Sequence, residues 1–127
     1  MSYLLDTYAL IEWYGQKNPR YRPYFEPGVK KYITRLALLE FYFYICHNKD
    51  RETAERYYSH LKMYAEVVEL TDDLIKKSAA LRSKMMKRKK EPSYVDCVNY
   101  VAAEKVGARL LTGAREFEGM KNVEFVR

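Results

Sequence analysis

Cysteine is scarce in this 127-residue chain: there are two, Cys46 and Cys97. They form no CxxC pair and no spacing that suits a zinc site. Each lies in an apolar stretch with helical character. Both therefore read as inert buried thiols, and a bridge between them is not expected in a reducing compartment. No apolar run approaches the ~18–20 residues that span a membrane. No basic segment followed by a long apolar one opens the chain, so a secretory signal is not expected and a cytoplasmic protein is. HExxH, P-loop and GxSxG motifs are all missing. That removes the zinc-protease, P-loop nucleotide-binding and serine-hydrolase readings. Repeats, low-complexity tracts and interdomain linkers are missing too.

What is present suits one globular domain. Its length sits in the usual ~100–150-residue range, enough for a core without disulfides or structural metal. The composition, 48% hydrophobic and 31% charged, is ordinary for a soluble fold. The formal net charge is +6 and the pI about 9.2. A basic surface of this kind attracts polyanions such as nucleic acid.

Short apolar runs alternate with helical patterns along the chain. Ser2 to Leu5 reads as a first buried strand, and Thr7 to Trp13 as a helix. "GQKNPRYRPYFEPG", with Gly15, Pro19, Pro23, Pro27 and Gly28, reads as a loop. "VKKYIT" is a second strand, Arg35 to His47 a helix, and Asp50 to Tyr64 another. "EVVEL" follows as a third strand. Thr71 caps a long helix to Lys90, with Asp72 and Asp73 in its first turn. Ser93 opens a further helix that stops near Gly107. "ARLLT" is a fourth strand, "GAREFEG" a turn, and "VEFV" a fifth strand. The alternation predicts a three-layer α/β/α fold around a central, mostly parallel, five-stranded sheet. Sites in such sheets form beyond the carboxyl ends of the strands.

Three acids stand in awkward places. Asp6 ends the first apolar strand, where a helix cap is the commoner explanation. Glu40 interrupts "LALLEFYFYIC", sharing a helical stripe with Leu36, Phe43 and His47. A charge there costs stability unless it is paired, hydrated or metal-bound. Asp96 fits the third position of a capping box opened by Ser93, although Glu or Gln is usual there. Each acid alone has a structural explanation. Together they suit the same sheet edge, and hard cations such as Mg²⁺ or Mn²⁺ prefer oxygen ligands of this kind.

The order of motifs "YLLDTYALIEW", "TRLALLEFYF", "SYVDCVNYVAAEKVGARLLTGAREF" and "VEFV" resembles the PIN domain, specifically VapC-type toxins of toxin–antitoxin systems. The resemblance spans essentially the whole chain. It implies a Mg²⁺- or Mn²⁺-dependent endoribonuclease that dimerises and is inhibited by an antitoxin. The family's acids fall on Asp6, Glu40 and Asp96, as catalytic and metal-binding residues. The chain departs from the family after the fourth strand, with "TGA" in place of "TGD". Ala114 therefore stands at the fourth acidic position and puts full activity in doubt. Glu116 is a candidate replacement, set against a solvated residue on a short turn.

Substrate binding is expected from Lys84, Lys87, Arg88, Lys89 and Lys90, which could equally be a solvated helix end. Thr112 is a candidate hydroxyl contact to water or phosphate. Arg20, Arg22, Lys30 and Lys31 make a second, looser basic region, with Tyr21, Tyr24 and Tyr94 as candidate base-stacking rings. The alternative function is a catalytically inactive module that binds RNA or its antitoxin. A receiver-like domain using Asp6 is set aside, since Thr7 stands where a second acid would be. Phe41, Tyr42, Tyr44, Tyr57 and Tyr58 exceed what one small core holds, so an aromatic interface and a homodimer are expected.

Overall fold

The structure, a computed structural model, describes residues 1–127. Five strands form one sheet: β1 (Ser2–Leu5), β2 (Lys30–Thr34), β3 (Glu66–Val68), β4 (Arg109–Thr112) and β5 (Val123–Phe125). Their order is β3-β2-β1-β4-β5, and every neighbouring pair is parallel. The chain builds outward from β1 to β3, then returns to place β4 on the other side of β1. The order reverses between β1 and β4, which is where an open α/β sheet leaves a crevice at its carboxyl edge.

The helices are α1 (Thr7–Leu10), α2 (Arg35–Asn48), α3 (Arg51–Tyr64), α4 (Asp72–Lys87) and α5 (Tyr94–Val106). Side chains alternate along each strand, so each strand feeds two cores. Tyr3, Leu5, Ile33 and Leu111 pack with Leu10, Leu38, Phe41 and Leu61 beneath α1 to α3. Leu4, Leu110 and Val123 pack with Leu74, Val98 and Val101 beneath α4 and α5. Leu4, Leu5, Leu110 and Leu111 are fully buried. Each such leucine stabilises the fold by about 1.5–3 kcal/mol. The sheet is thus covered on both faces, as apolar side chains on both faces of its central strands require.

Several local expectations change. The presumed loop from Gly15 to Gly28 contains a 3₁₀ helix, Pro19–Phe25. Asn18 caps it by accepting from the Arg20 amide at 3.0 Å, and Pro19 presets the first turn. Tyr21 is buried there and donates its hydroxyl to the Val126 carbonyl. Tyr24 donates to Glu124 at 2.6 Å. These bonds tie the segment to the C-terminus, and composition alone carries no sign of them.

The first helix is α-helical only to Leu10, then widens into a π-helical turn over Ile11–Gly15. Helix α4 stops at Lys87 rather than Lys90, because Lys89 takes a left-handed conformation at φ 62°. Gly107 closes α5 at φ 71°, where a side chain would be strained. Cys97 is buried as expected, while Cys46 is exposed. Burial pushes the Cys97 thiol up to about 11, with the Asp96 charge adding to it, so it stays protonated and inert. No helix is long and apolar enough to cross a membrane.

Candidate active site

Asp6 directly follows β1. Leu4 pairs with Tyr32, and Leu5 with Leu111. Continuing that register sets Asp6 level with Thr34 on one side and Thr112 on the other. Leu4, Tyr32 and Leu110 face the α4–α5 layer. Two residues on, Asp6, Thr34 and Thr112 face the same way. Helix α5 brings Asp96 and Asn99, three residues apart, down onto that edge.

Asp6 is 1% exposed. One carboxyl oxygen accepts from the Tyr8 amide at 2.7 Å, which caps α1. The other accepts from the Thr112 hydroxyl. Burial pushes the carboxyl up to about 7, and the charges of Asp96 and Glu40 push the same way, against the two hydrogen bonds. At neutral pH this group is poised between taking a proton and taking a cation.

Glu40 is half-buried on α2 and accepts from the Thr7 hydroxyl at 2.7 Å. The capping box at the start of α5 is complete. The Asp96 amide donates to Ser93 Oγ at 3.0 Å, and the Ser93 amide donates to Asp96 Oδ2 at 3.1 Å. Burial raises the Asp96 carboxyl, opposed by the Ser93 bonds and reinforced by the Glu116 charge. Capping and ligation are compatible here. Asp96 and Glu40 each accept through one oxygen and leave the second free.

The three carboxylates share a neighbourhood without closing into a cage. No group of three Asp, Glu, His or Cys side chains is arranged to hold a metal ion as the chain stands. Two of the carboxyl groups are already engaged by hydrogen bonds. Asp6 is turned into Thr112 and Tyr8, and Asp96 into its own cap. The donor set itself suits a hard divalent cation: all oxygen, anionic, partly desolvated, with mutual repulsion that a cation would relieve.

Ala114 lies at the fourth acidic position and offers only its amide, which donates to Thr112 Oγ1 at 3.0 Å. Glu116 is half-buried on the 3₁₀ turn Arg115–Phe117, near enough for Asp96 to feel its charge. Gly113, between Thr112 and Ala114, has no room for a side chain. A Cβ there would meet the Tyr8 ring and lie 2.5 Å from the Val126 carbonyl.

Of the predicted RNA contacts, Lys84, Lys87, Arg88, Lys89 and Lys90 are all exposed. Lys90 reaches the turn that carries Glu116, donating to the Glu116 carbonyl at 3.3 Å. Thr112 is not a surface contact: it is fully buried and its hydroxyl is committed to Asp6. Tyr21 and Lys31 are buried as well, so neither can meet RNA at the surface. Lys31 donates to the Glu26 and Val29 carbonyls, and burial lowers its pKa. Tyr94 is 70% exposed, with Arg82 over its ring. The aromatic surplus on α2 and α3 resolves differently from expectation. Phe41 is buried, and Tyr42, Tyr44, Tyr57 and Tyr58 pack half-buried against the core. The exposed apolar residues are Leu39 and Phe43 on α2, and Met63 and Tyr64 at the end of α3.

Two residues escaped the sequence reading. Thr34 caps α2 and donates to Asn99 Oδ1 at 2.6 Å. Asn99 is fully buried, and its amide nitrogen is the one buried side-chain atom with no partner. The available signal was a lone amide in the apolar run "CVNYVAA", three residues past Asp96.

The PIN domain family profile matches residues 3–122. Solved structures share the fold at low identity. VapBC2 from Rickettsia felis, bound to a DNA fragment from its promoter, aligns with a TM-score of 0.80 and 16% identity, over 99% of this chain and 98% of that one. DNA-bound VapBC from Salmonella typhimurium gives 0.80 and 17%, over 99% and 97%. VapC20 from Mycobacterium tuberculosis, described as a toxin cleaving the sarcin–ricin loop, gives 0.78 and 16%, over 98% of each chain. No curated protein sequence matches.

Proposed function

The chain belongs to the PIN-domain family, and from that premise we propose that it is a divalent-metal-dependent endoribonuclease, the toxin half of a toxin–antitoxin pair. The observation that carries this reading is Asp6: a carboxylate buried at the carboxyl end of the central strand, pushed up to about 7 beside two further acids. A purely structural cap has no need of that company.

Asp6, Glu40 and Asp96 would hold Mg²⁺ or Mn²⁺, with Glu116 as the fourth acid in place of Ala114. Bound there, the ion supplies an acidified water and charge neutralisation at the scissile phosphate. The chain's own part is positioning. Thr112 and the Tyr8 amide fix the Asp6 carboxylate, Thr7 fixes Glu40, and Ser93 fixes Asp96. Lys90 sits beside Glu116, and it and its basic neighbours would draw the RNA backbone toward the acids. Cleavage of single-stranded RNA should therefore require Mg²⁺ or Mn²⁺, stop on chelation, and disappear in Asp6→Asn.

Ala114 favours a second reading, a PIN module that binds RNA or its antitoxin and cuts nothing. Ala114→Asp separates the two. A large gain in cleavage identifies a weakened nuclease. No cleavage by either protein under any divalent ion, with RNA binding intact, identifies the binding module.

Partner binding belongs to the same proposal. The relatives of similar fold from Rickettsia and Salmonella are toxin–antitoxin assemblies, and an antitoxin segment is the partner we assign to this chain. Leu39 and Phe43, exposed at 67% and 63% on one side of α2, are the apolar surface we assign to a homodimer. Elution as a monomer at micromolar concentration counts against the dimer.

A further inference from the structure

A second charged cleft lies away from the acids, between the π-helical turn, the 3₁₀ helix and α3. It encloses about 750 Å³, and its walls include Trp13, Lys17, Arg22, Arg56, Tyr57 and His60. Among them are three cations and no carboxylate. None of the three cations is in an ion pair with an acid. Lys17 donates to the Tyr57 hydroxyl at 2.9 Å and sits over its ring. Arg56 reaches only Thr53, and Arg22 bonds to nothing. Tyr14 closes the floor and shares a 2.7 Å hydrogen bond with His60 Nδ1.

The cleft is separate from the acidic site. Tyr14 lies eight residues beyond Asp6 along a helical path, roughly 12 Å at helical rise. Next to it, an enclosed pocket of about 280 Å³ shares Trp13, Tyr14 and His60 and runs on to Lys31 and Ala65. Those two lie where β2 begins and just before β3, so this end is the amino edge of the sheet, opposite the acids.

We propose that this cleft is an anchoring site for single-stranded nucleic acid. Unpaired cations interleaved with aromatic rings match a chain of phosphates interleaved with bases. The sequence is basic overall, and no carboxylate forms a salt bridge with any of these three cations. An acidic peptide is the weaker candidate. The open strand edges are β3 and β5, and neither lines the cleft, so no backbone ladder is on offer there. The proposal goes beyond the nuclease reading and does not depend on it.

Trp13 is the only tryptophan, so its emission reports the cleft directly. The full chain is titrated with a single-stranded RNA oligonucleotide in EDTA, and in parallel with polyglutamate of matched charge. RNA is expected to change Trp13 emission in a saturable way. Arg22→Glu with Arg56→Glu should weaken RNA binding at least tenfold and flatten the log–log salt dependence by about 1.4, two single-strand phosphate contacts. The milder Arg22→Gln with Arg56→Gln should give the same direction, provided its circular dichroism matches the parent. A silent Trp13, or unchanged affinity and salt slope in both double variants, overturns the proposal. Stronger saturation by polyglutamate than by RNA overturns it too, in favour of an acidic protein partner. Because EDTA suppresses metal-dependent cutting, loss of cleavage in Asp6→Asn with this response intact bears on the nuclease reading alone.

Discussion

At the carboxyl edge of the sheet, Asp6 is buried, and Asp6, Glu40 and Asp96 are each held by a named hydrogen bond. At the amino edge, Lys17, Arg22 and Arg56 lie exposed along a cleft, and no carboxylate pairs with them. The two ends hold opposite charge, but the deeper difference is solvent. Burial turns a charge into a chemical property by moving its pKa, whereas exposure leaves it a field that salt screens. That difference is why we propose chemistry at one end and recruitment at the other.

The largest test of that contrast is Asp6→Asn. We expect RNA cleavage to fall at least roughly 100-fold, beyond what losing a supporting residue of a metal site costs. The same variant should be more stable than the parent near pH 8 without divalent ions, because removing a buried charge outweighs the one hydrogen bond that the amide NH₂ cannot accept. Thermal denaturation at pH 8 in EDTA checks this. A lower melting temperature there would mean that Asp6 is chiefly a cap, and the comparison between the two ends would lose its basis.

The pH dependence sharpens the same point. The folded Asp6 carboxyl sits at about 7 against an ordinary 3.8, so between those values the folded chain binds the extra proton. Stability from this group is therefore full below about pH 4 and is lost as pH rises through 7. The whole swing is roughly 4 kcal/mol. Without divalent ions, denaturant midpoints should fall across that window in the parent and stay flatter in Asp6→Asn. Saturating Mn²⁺ should offset the loss at pH 7 to 8, since an ion bound to the folded state alone stabilises it.

Much of the acidic end was legible in the sequence, because an acid in an apolar setting demands an explanation. Asp6 closing "YLL", Glu40 inside "LALLEFYFYIC" and Asp96 after Ser93 each break a local pattern. The parallel sheet was legible for the same reason: five short apolar runs alternate with helical ones. What escaped depends on contacts distant along the chain. Thr34 pairs with Asn99 sixty-five residues on, and Thr112 is drawn away from the surface by Asp6. The basic cleft was legible only in part. Arg22 stood in the second basic region of the sequence, but Lys17 and Arg56 come from a connection and from α3, and a surface cation breaks no pattern. The segment read as loop is ordered by tyrosine hydroxyls that reach the last residues of the chain.

Thr34→Val is a smaller test of how tightly the acidic end is built. The hydroxyl caps α2 and supplies the only bond recorded for the Asn99 side chain. Its loss should cost roughly 1–3 kcal/mol, the penalty of stranding buried polar groups. Adding Asn99→Leu should recover part of that, since the stranded amide goes too. Chemical denaturation of the four proteins of the cycle measures the coupling, and strict additivity would show that the pair does not act as a unit.

The smallest expected effect is the most diagnostic for the other end. Arg22 is exposed and makes no hydrogen bond or ion pair, so Arg22→Ala should shift folding stability by less than about 0.5 kcal/mol. At the acidic end Thr7, Thr34, Ser93 and Thr112 each complete another group's hydrogen bonding, and changes at them should not be that quiet. If Arg22→Ala proves as costly as Thr34→Val, the arginine is part of the packing. Its cation would then be held by the fold rather than kept available, and the cleft would belong to the architecture instead of to a ligand.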